Sequence, residues 1–136
     1  MTFISRSPAI LATLLSPLFI AGASAQSYPV KPVRVVTQFA AGAAGDVLTR
    51  IVTTHLQESL GQAIVVDNRP GAGGVVAAET VARATPDGYT LLVAGPGTQV
   101  IRVYLVRQSS FDPVKDFTPI TAIGDSPVVI VSHPSL

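Results

Sequence analysis

His55 and His133 are the two histidines of this chain, and neither has an aspartate, glutamate or second histidine at metal-ligand spacing. Asp112 and Asp116 form one acidic pair, with Lys115 beside them in a loop-forming stretch, and read as solvated. Asp67 and Asp87 form a second pair. There is no G-x-S-x-G nucleophile turn and no cysteine. No constellation of nucleophile, base and orienting group emerges, so no catalytic residue, metal or cofactor is expected.

The chemistry that remains belongs to the backbone. Phe39-Ala40-Ala41-Gly42-Ala43-Ala44-Gly45-Asp46 follows an apolar strand and leads into an amphipathic helix. These side chains are too small to hold a ligand themselves. Backbone N–H groups at the positive end of a helix are suited to an anion. Gly42-x-x-Gly45 lacks the full G-x-G-x-x-G spacing and no G-x-x-x-x-G-K-[ST] occurs, so a nucleotide fingerprint is unsupported. Asp46 reads as the helix N-cap, with Arg50 four residues on as an ion-pair partner.

Several elements must position this loop. Val33 to Thr37 is short and β-branched and predicts a strand. Val47, Leu48, Ile51, Val52, Leu56 and Leu60 share one helical face, and Gly61 ends that helix as a C′ glycine. Ala63 to Val66 predicts a second strand, 67–74 a turn-rich loop, 75–84 a short helix, and Tyr89 to Ala94 a third strand. Residues 98–107 suit a helix or a strand, and 120–124 and 128–132 are further strand candidates. Strand–helix alternation at this spacing predicts a parallel α/β sheet, buried on both faces. Ligands of such sheets sit at the carboxyl ends of the strands. Three loops leave that edge, at 38–46, 67–74 and 95–98, all rich in Gly, Ala or Pro. Pro70-Gly71-Ala72-Gly73-Gly74 suits a tight turn as well as a binding loop.

The chain has 136 residues, 48% of them hydrophobic and only 12% charged, which bounds it to about one modest domain. Residues 1–25 contribute to that bias. Arg6, an apolar run from Ile10 to Ala23 and the ending Ala23-Ser24-Ala25 have the pattern of a cleaved secretory signal peptide. Its removal takes away Arg6 and leaves eight basic and eight acidic residues, unlike the basic footprint of a nucleic-acid binder. An exported chain without cysteine must be held by its core.

Seven ordered blocks carry a resemblance. They are Tyr28-Pro29-x-Lys31-Pro32-Val33-Arg34; Phe39-x-x-Gly42-x-x-x-Asp46 with Arg50; Leu60-Gly61-Gln62; Val65-Val66-Asp67-Asn68-Arg69-Pro70-Gly71-Ala72-Gly73-Gly74; Ala84-x-Pro86-Asp87-Gly88-Tyr89-Thr90-Leu91-Leu92; and Phe111-Asp112-Pro113-Val114-Lys115-Asp116-Phe117, with Gly95 to Thr98 between the last two. Together they resemble the Bug family of extracytoplasmic solute-binding proteins, the TctC-like receptors of tripartite tricarboxylate transporters. The resemblance implies a periplasmic-binding-protein-like (type II) α/β lobe with a mostly parallel sheet. It divides the chain into a signal peptide (1–25), an incomplete first lobe (26–122), and a hinge with the start of an incomplete second lobe (123–136). It implies a monomeric periplasmic receptor that captures a small carboxylate and delivers it to membrane transporter subunits. The ligand-binding positions it implies are Phe39 to Asp46, with Gly95, Gly97 and Thr98. It further implies that this length of chain, with half a cleft, does not close over a ligand, and that the 128–132 strand lacks neighbours.

Two departures stand out. Ala43-Ala44 replaces the family's usual Gly-Gly, and Arg102-Val103 stands where Asn-Pro is frequent. Arg102 reads as an exposed charge rather than a specificity residue. The competing readings are an exported α/β hydrolase-like enzyme acting on an anion and a nonfunctional truncated receptor remnant.

Overall fold

The computed structural model describes residues 27–105, 110–125 and 130–135. The proposed signal peptide lies outside them. Three strands, β1 (Val33–Thr37), β2 (Ile64–Asn68) and β3 (Thr90–Val93), form a parallel sheet in the order β2-β1-β3. Val33 pairs with Ile64 and Thr37 with Asn68, while Arg34 pairs with Thr90 and Thr37 with Val93. The β1 strand is central, and Val33, Val35, Val36 and Thr37 are buried within it. Both neighbours are edge strands and only half-buried, so burial on both faces holds for β1 alone. The reason is position: β1 has a strand on each side, whereas β2 and β3 each leave one edge open.

Helix α1 (Ala44–Leu60) connects β1 to β2, and α2 (Val75–Ala82) connects β2 to β3. A short 3-10 turn at Ala72–Gly74 leads into α2. After β3 the chain winds into a wide π-type turn at Gly97–Ile101, continued by α3 (Arg102–Leu105). The helical alternative for this segment is the one that forms as far as Leu105, and 106–107 lie outside the described residues. Val75, Ala78 and Phe111 make a core cluster, with Ala82, Leu92 and Phe117 packed against it. Phe117 meets the Phe111 ring edge-on at 5.7 Å.

Gly61 ends α1 in the left-handed conformation (φ 64°), with its N–H on Gln57 O. The start of α1 differs from expectation. Ala43 is the N-cap, and Asp46 sits in the first turn. The side chain at this position reaches back to the backbone ahead of the helix, as the acid of a capping box does.

The orientation of α1 also differs. Its buried residues are Asp46, Thr49 and Thr53. Four residues of the apolar stripe face outward, with Val47 48%, Leu48 39%, Ile51 52% and Val52 38% exposed, while Leu56 and Leu60 are partly buried. Gly124 lies beside Leu48, where a Cβ on the glycine would stand 3.4 Å from Leu48 Cδ1. Periodicity shows which helical residues share a face but not which elements exist to cover it. The strand expected at 120–124 does not form, and 130–132 is not strand either; 128–129 lie outside the described residues. An apolar β-branched run becomes a strand only with a neighbour to complete its ladder.

At the amino edge of the sheet, the Tyr28 hydroxyl donates to Gly88 O (2.8 Å), Lys31 pairs with Asp87 (2.9 Å), and the Lys31 ammonium lies 4.3 Å from the Tyr89 ring centroid. Asp67 is held between Arg34 and Arg69. The Asp112 carboxylate accepts the N–H groups of Val114 and Lys115, and its own N–H donates to Asp116. Both acidic pairs of the sequence thus serve the local structure.

Candidate functional site

The three small-residue loops meet at the carboxyl edge of the sheet, as the topology requires of parallel strands joined by helices. Their polar groups are tied to one another in two networks.

The first network centres on Asp46, which is 2% exposed. Its Oδ2 accepts the Gly42 N–H (2.8 Å) and Arg50 Nε (3.0 Å), and its Oδ1 accepts Asn68 Nδ2 (2.7 Å). Asn68 Nδ2 also donates to Phe39 O (2.9 Å), and Arg50 Nη2 donates to Asn68 Oδ1 (3.0 Å). The end of β2 is thereby fastened to the first loop. Arg50 chiefly, with Asn68 and the Gly42 N–H, holds the Asp46 carboxyl down at about 2. The i,i+4 pair with Arg50 matches the sequence reading, while Asn68 is a partner that reading left out. An aspartate this well compensated adds little net negative charge to the loop. Among the described residues no hydrogen bond uses the N–H groups of Ala40, Ala41, Ala44 or Gly45. Those of Ala44 and Gly45 begin the helix, where such donors have no intrahelical partner.

The second network centres on Thr98, which is wholly buried. Its Oγ1 lies 2.5 Å from Gln38 Oε1 and 2.7 Å from Gly73 O. One hydroxyl proton serves one of these oxygens at a time. Thr98 joins the third loop to the first and second. One turn later, Arg102 Nη1 donates to Ala72 O (3.3 Å). Arg102 is partly buried, which corrects its reading as an exposed charge.

Of the expected ligand-binding positions, Ala40, Ala41, Gly42, Ala44 and Gly97 are exposed, Phe39, Ala43, Gly45 and Gly95 are partly buried, and Asp46 and Thr98 are buried. Gln38, Arg50, Asn68 and Gly74 complete the site. Asn68 carried a usable signal, a polar residue directly after Val65-Val66-Asp67 where the strand reaches its ligand-facing end. Gln38 and Gly74 carried none, because their partners lie far away in sequence.

Phe39 and Gly45 fix the shape of the first loop. A Cβ on Gly45 would overlap the Phe39 ring. Gly45→Ala is therefore expected to displace the ring and destabilise the fold by about 1–2 kcal/mol, the overlap outweighing alanine's better helix propensity in the first turn. Urea unfolding beside an amide NMR spectrum checks this: the midpoint falls and the resonances of residues 39–45 move.

His55 does have an acidic neighbour, with its Nδ1 3.6 Å from Glu58 Oε2 one turn along α1. Both side chains are exposed and remote from the loops, so the pair is a surface contact.

A family model described as "tripartite tricarboxylate transporter family receptor" matches residues 48–136. The chain belongs to this family, TctC. A UPF0065 protein of Bordetella bronchiseptica is 41% identical over 121 residues, covering 89% of this chain and 36% of the relative. Protein BugT of Bordetella pertussis is 37% identical over 114 residues, covering 83% and 35%. The chain thus spans about a third of the length of the TctC relatives it matches. A solved structure described as a periplasmic transporter superposes with a TM-score of 0.67 at 43% identity, over 69% of this chain and 32% of that one. MatC from Rhodopseudomonas palustris, solved with bound malate, gives 0.64 at 44% identity over 68% and 31%. The α/β parallel architecture of this chain is a fragment of the fold of these two structures.

Proposed function

We propose that this chain supplies one wall of a carboxylate-binding cleft in a periplasmic receptor, which hands its solute to a tripartite transporter. The observation that carries the reading is the set of uncommitted N–H groups at the start of α1, presented by a loop whose only carboxylate is already neutralised. Those donors offer partial positive charge to an anion without a competing negative charge beside them. Malate in one similar structure and adipate in another support a small di- or tricarboxylate as the class. Membership of a receptor family supports binding without catalysis, and periplasmic neighbours support export.

Titrating the isotope-labelled chain with malate, followed by amide NMR, tests the reading. Half a cleft binds weakly, so we expect fast-exchange shifts at Ala40, Ala41, Ala44 and Gly45 with a Kd on the order of millimolar. Shifts scattered elsewhere, with these amides unmoved, would overturn it.

A further inference from the structure

Arg102 stands apart from the other cations of this chain. Lys31, Arg34, Arg50, Arg69, Arg83 and Lys115 each have an aspartate or glutamate within ion-pair distance. Arg102 is the one described lysine or arginine that has none. Its Nη1 makes one long hydrogen bond, 3.3 Å to Ala72 O. Its Nε is buried and has no hydrogen-bond partner. A buried N–H left unpaired is unfavourable, and a guanidinium without a counter-charge is more so.

The location gives this cation a use. Thr98 and Arg102 lie four residues apart on one helical face, and they contact the successive carbonyls of Gly73 and Ala72. Arg102 therefore stands where the second and third loops meet. The first loop offers dipoles but no net charge, because Asp46 and Arg50 compensate each other. Dipoles at one place and a full positive charge at another suit an anion with two charged ends. The Nε edge of a guanidinium matches a carboxylate with two parallel hydrogen bonds.

We propose that Arg102 is a specificity-determining residue for dicarboxylates: its guanidinium releases Ala72 O and turns, bringing the Nε edge out of its buried position to one carboxylate while the first-loop N–H groups hold the other. The long bond to Ala72 is readily exchanged for a charge-assisted one. This assignment rests on the carboxylate-binding reading above.

The test is NMR titration of the labelled full chain with adipate and with hexanoate, a monocarboxylate of the same carbon count. The Nε–H resonance of Arg102 is identified by its loss in Arg102→Lys. Adipate is expected to shift this resonance together with the first-loop amides, whereas hexanoate shifts the amides alone. Arg102→Gln, which keeps a side-chain N–H for Ala72 O, is expected to weaken adipate about tenfold and hexanoate less than about twofold. First-loop shifts with an unmoved Nε–H would overturn the role of Arg102 and leave the carboxylate reading intact. Equal weakening of both acids would also overturn it, as the mark of a purely structural residue. No shift at either place would overturn both.

Discussion

Gly74→Ala is expected to destabilise the fold by about 3–4 kcal/mol, against about 1 kcal/mol for Gly73→Ala. The two glycines are adjacent, and both have positive φ, +92° at Gly74 and +65° at Gly73. A Cβ on Gly73 meets nothing within 4 Å, so alanine there bears only the left-handed backbone penalty. A Cβ on Gly74 would overlap both Thr98 Oγ1 and the Gln38 amide. Thr98 is wholly buried and has nowhere to go, so relief requires breaking its link to Gln38 or to Gly73 O. The second and third loops would part. Urea unfolding of the two variants checks the ranking; equal losses would mean that backbone conformation alone sets the requirement for glycine.

Asp46→Asn is expected to lower the melting temperature by roughly 5–10 °C at neutral pH, through loss of charge-assisted hydrogen bonds at a buried position. An amide cannot accept from Arg50, Asn68 and the Gly42 N–H with the same strength as a carboxylate. The pH dependence follows from the direction of the shift. Asp46 is held at about 2, below its ordinary 3.8, so the folded state binds its proton less readily than the unfolded chain does. Its contribution is fully present above about pH 5 and is lost as pH falls through 3.8 towards 2. Asp67 and Asp87 are lowered too, by Arg34 and Lys31 first, but they titrate in both proteins. The gap between wild type and Asp46→Asn therefore narrows towards pH 2. Melting curves across that range measure it, and a constant gap would show that the Asp46 carboxylate is not compensated as described.

These two residues mark the boundary between what was legible early and what was not. Asp46 announces itself in sequence by following a run of small residues and preceding an apolar periodicity, and Arg50 one turn later follows from helix geometry. Its third partner, Asn68, requires knowing that β2 runs parallel to β1 and ends level with it. Gly74 is one of three glycines in a five-residue turn, and nothing local distinguishes it from Gly73. The difference arises because Gln38 and Thr98 arrive from the loops that follow β1 and β3.

By itself the sequence determined the order of strands and helices through period and turn residues, the backbone-based chemistry of the first loop, and the family. Those properties depend on neighbours along the chain. Tertiary structure alone decided which helical face is buried, with Thr49 and Thr53 of α1 inward and Val47, Leu48, Ile51 and Val52 outward. It also decided which candidate strands find a ladder, and which cation is left without a counter-charge. Each of these is a property of what lies across a gap in space, and side-chain spacing along one element carries no information about the element opposite.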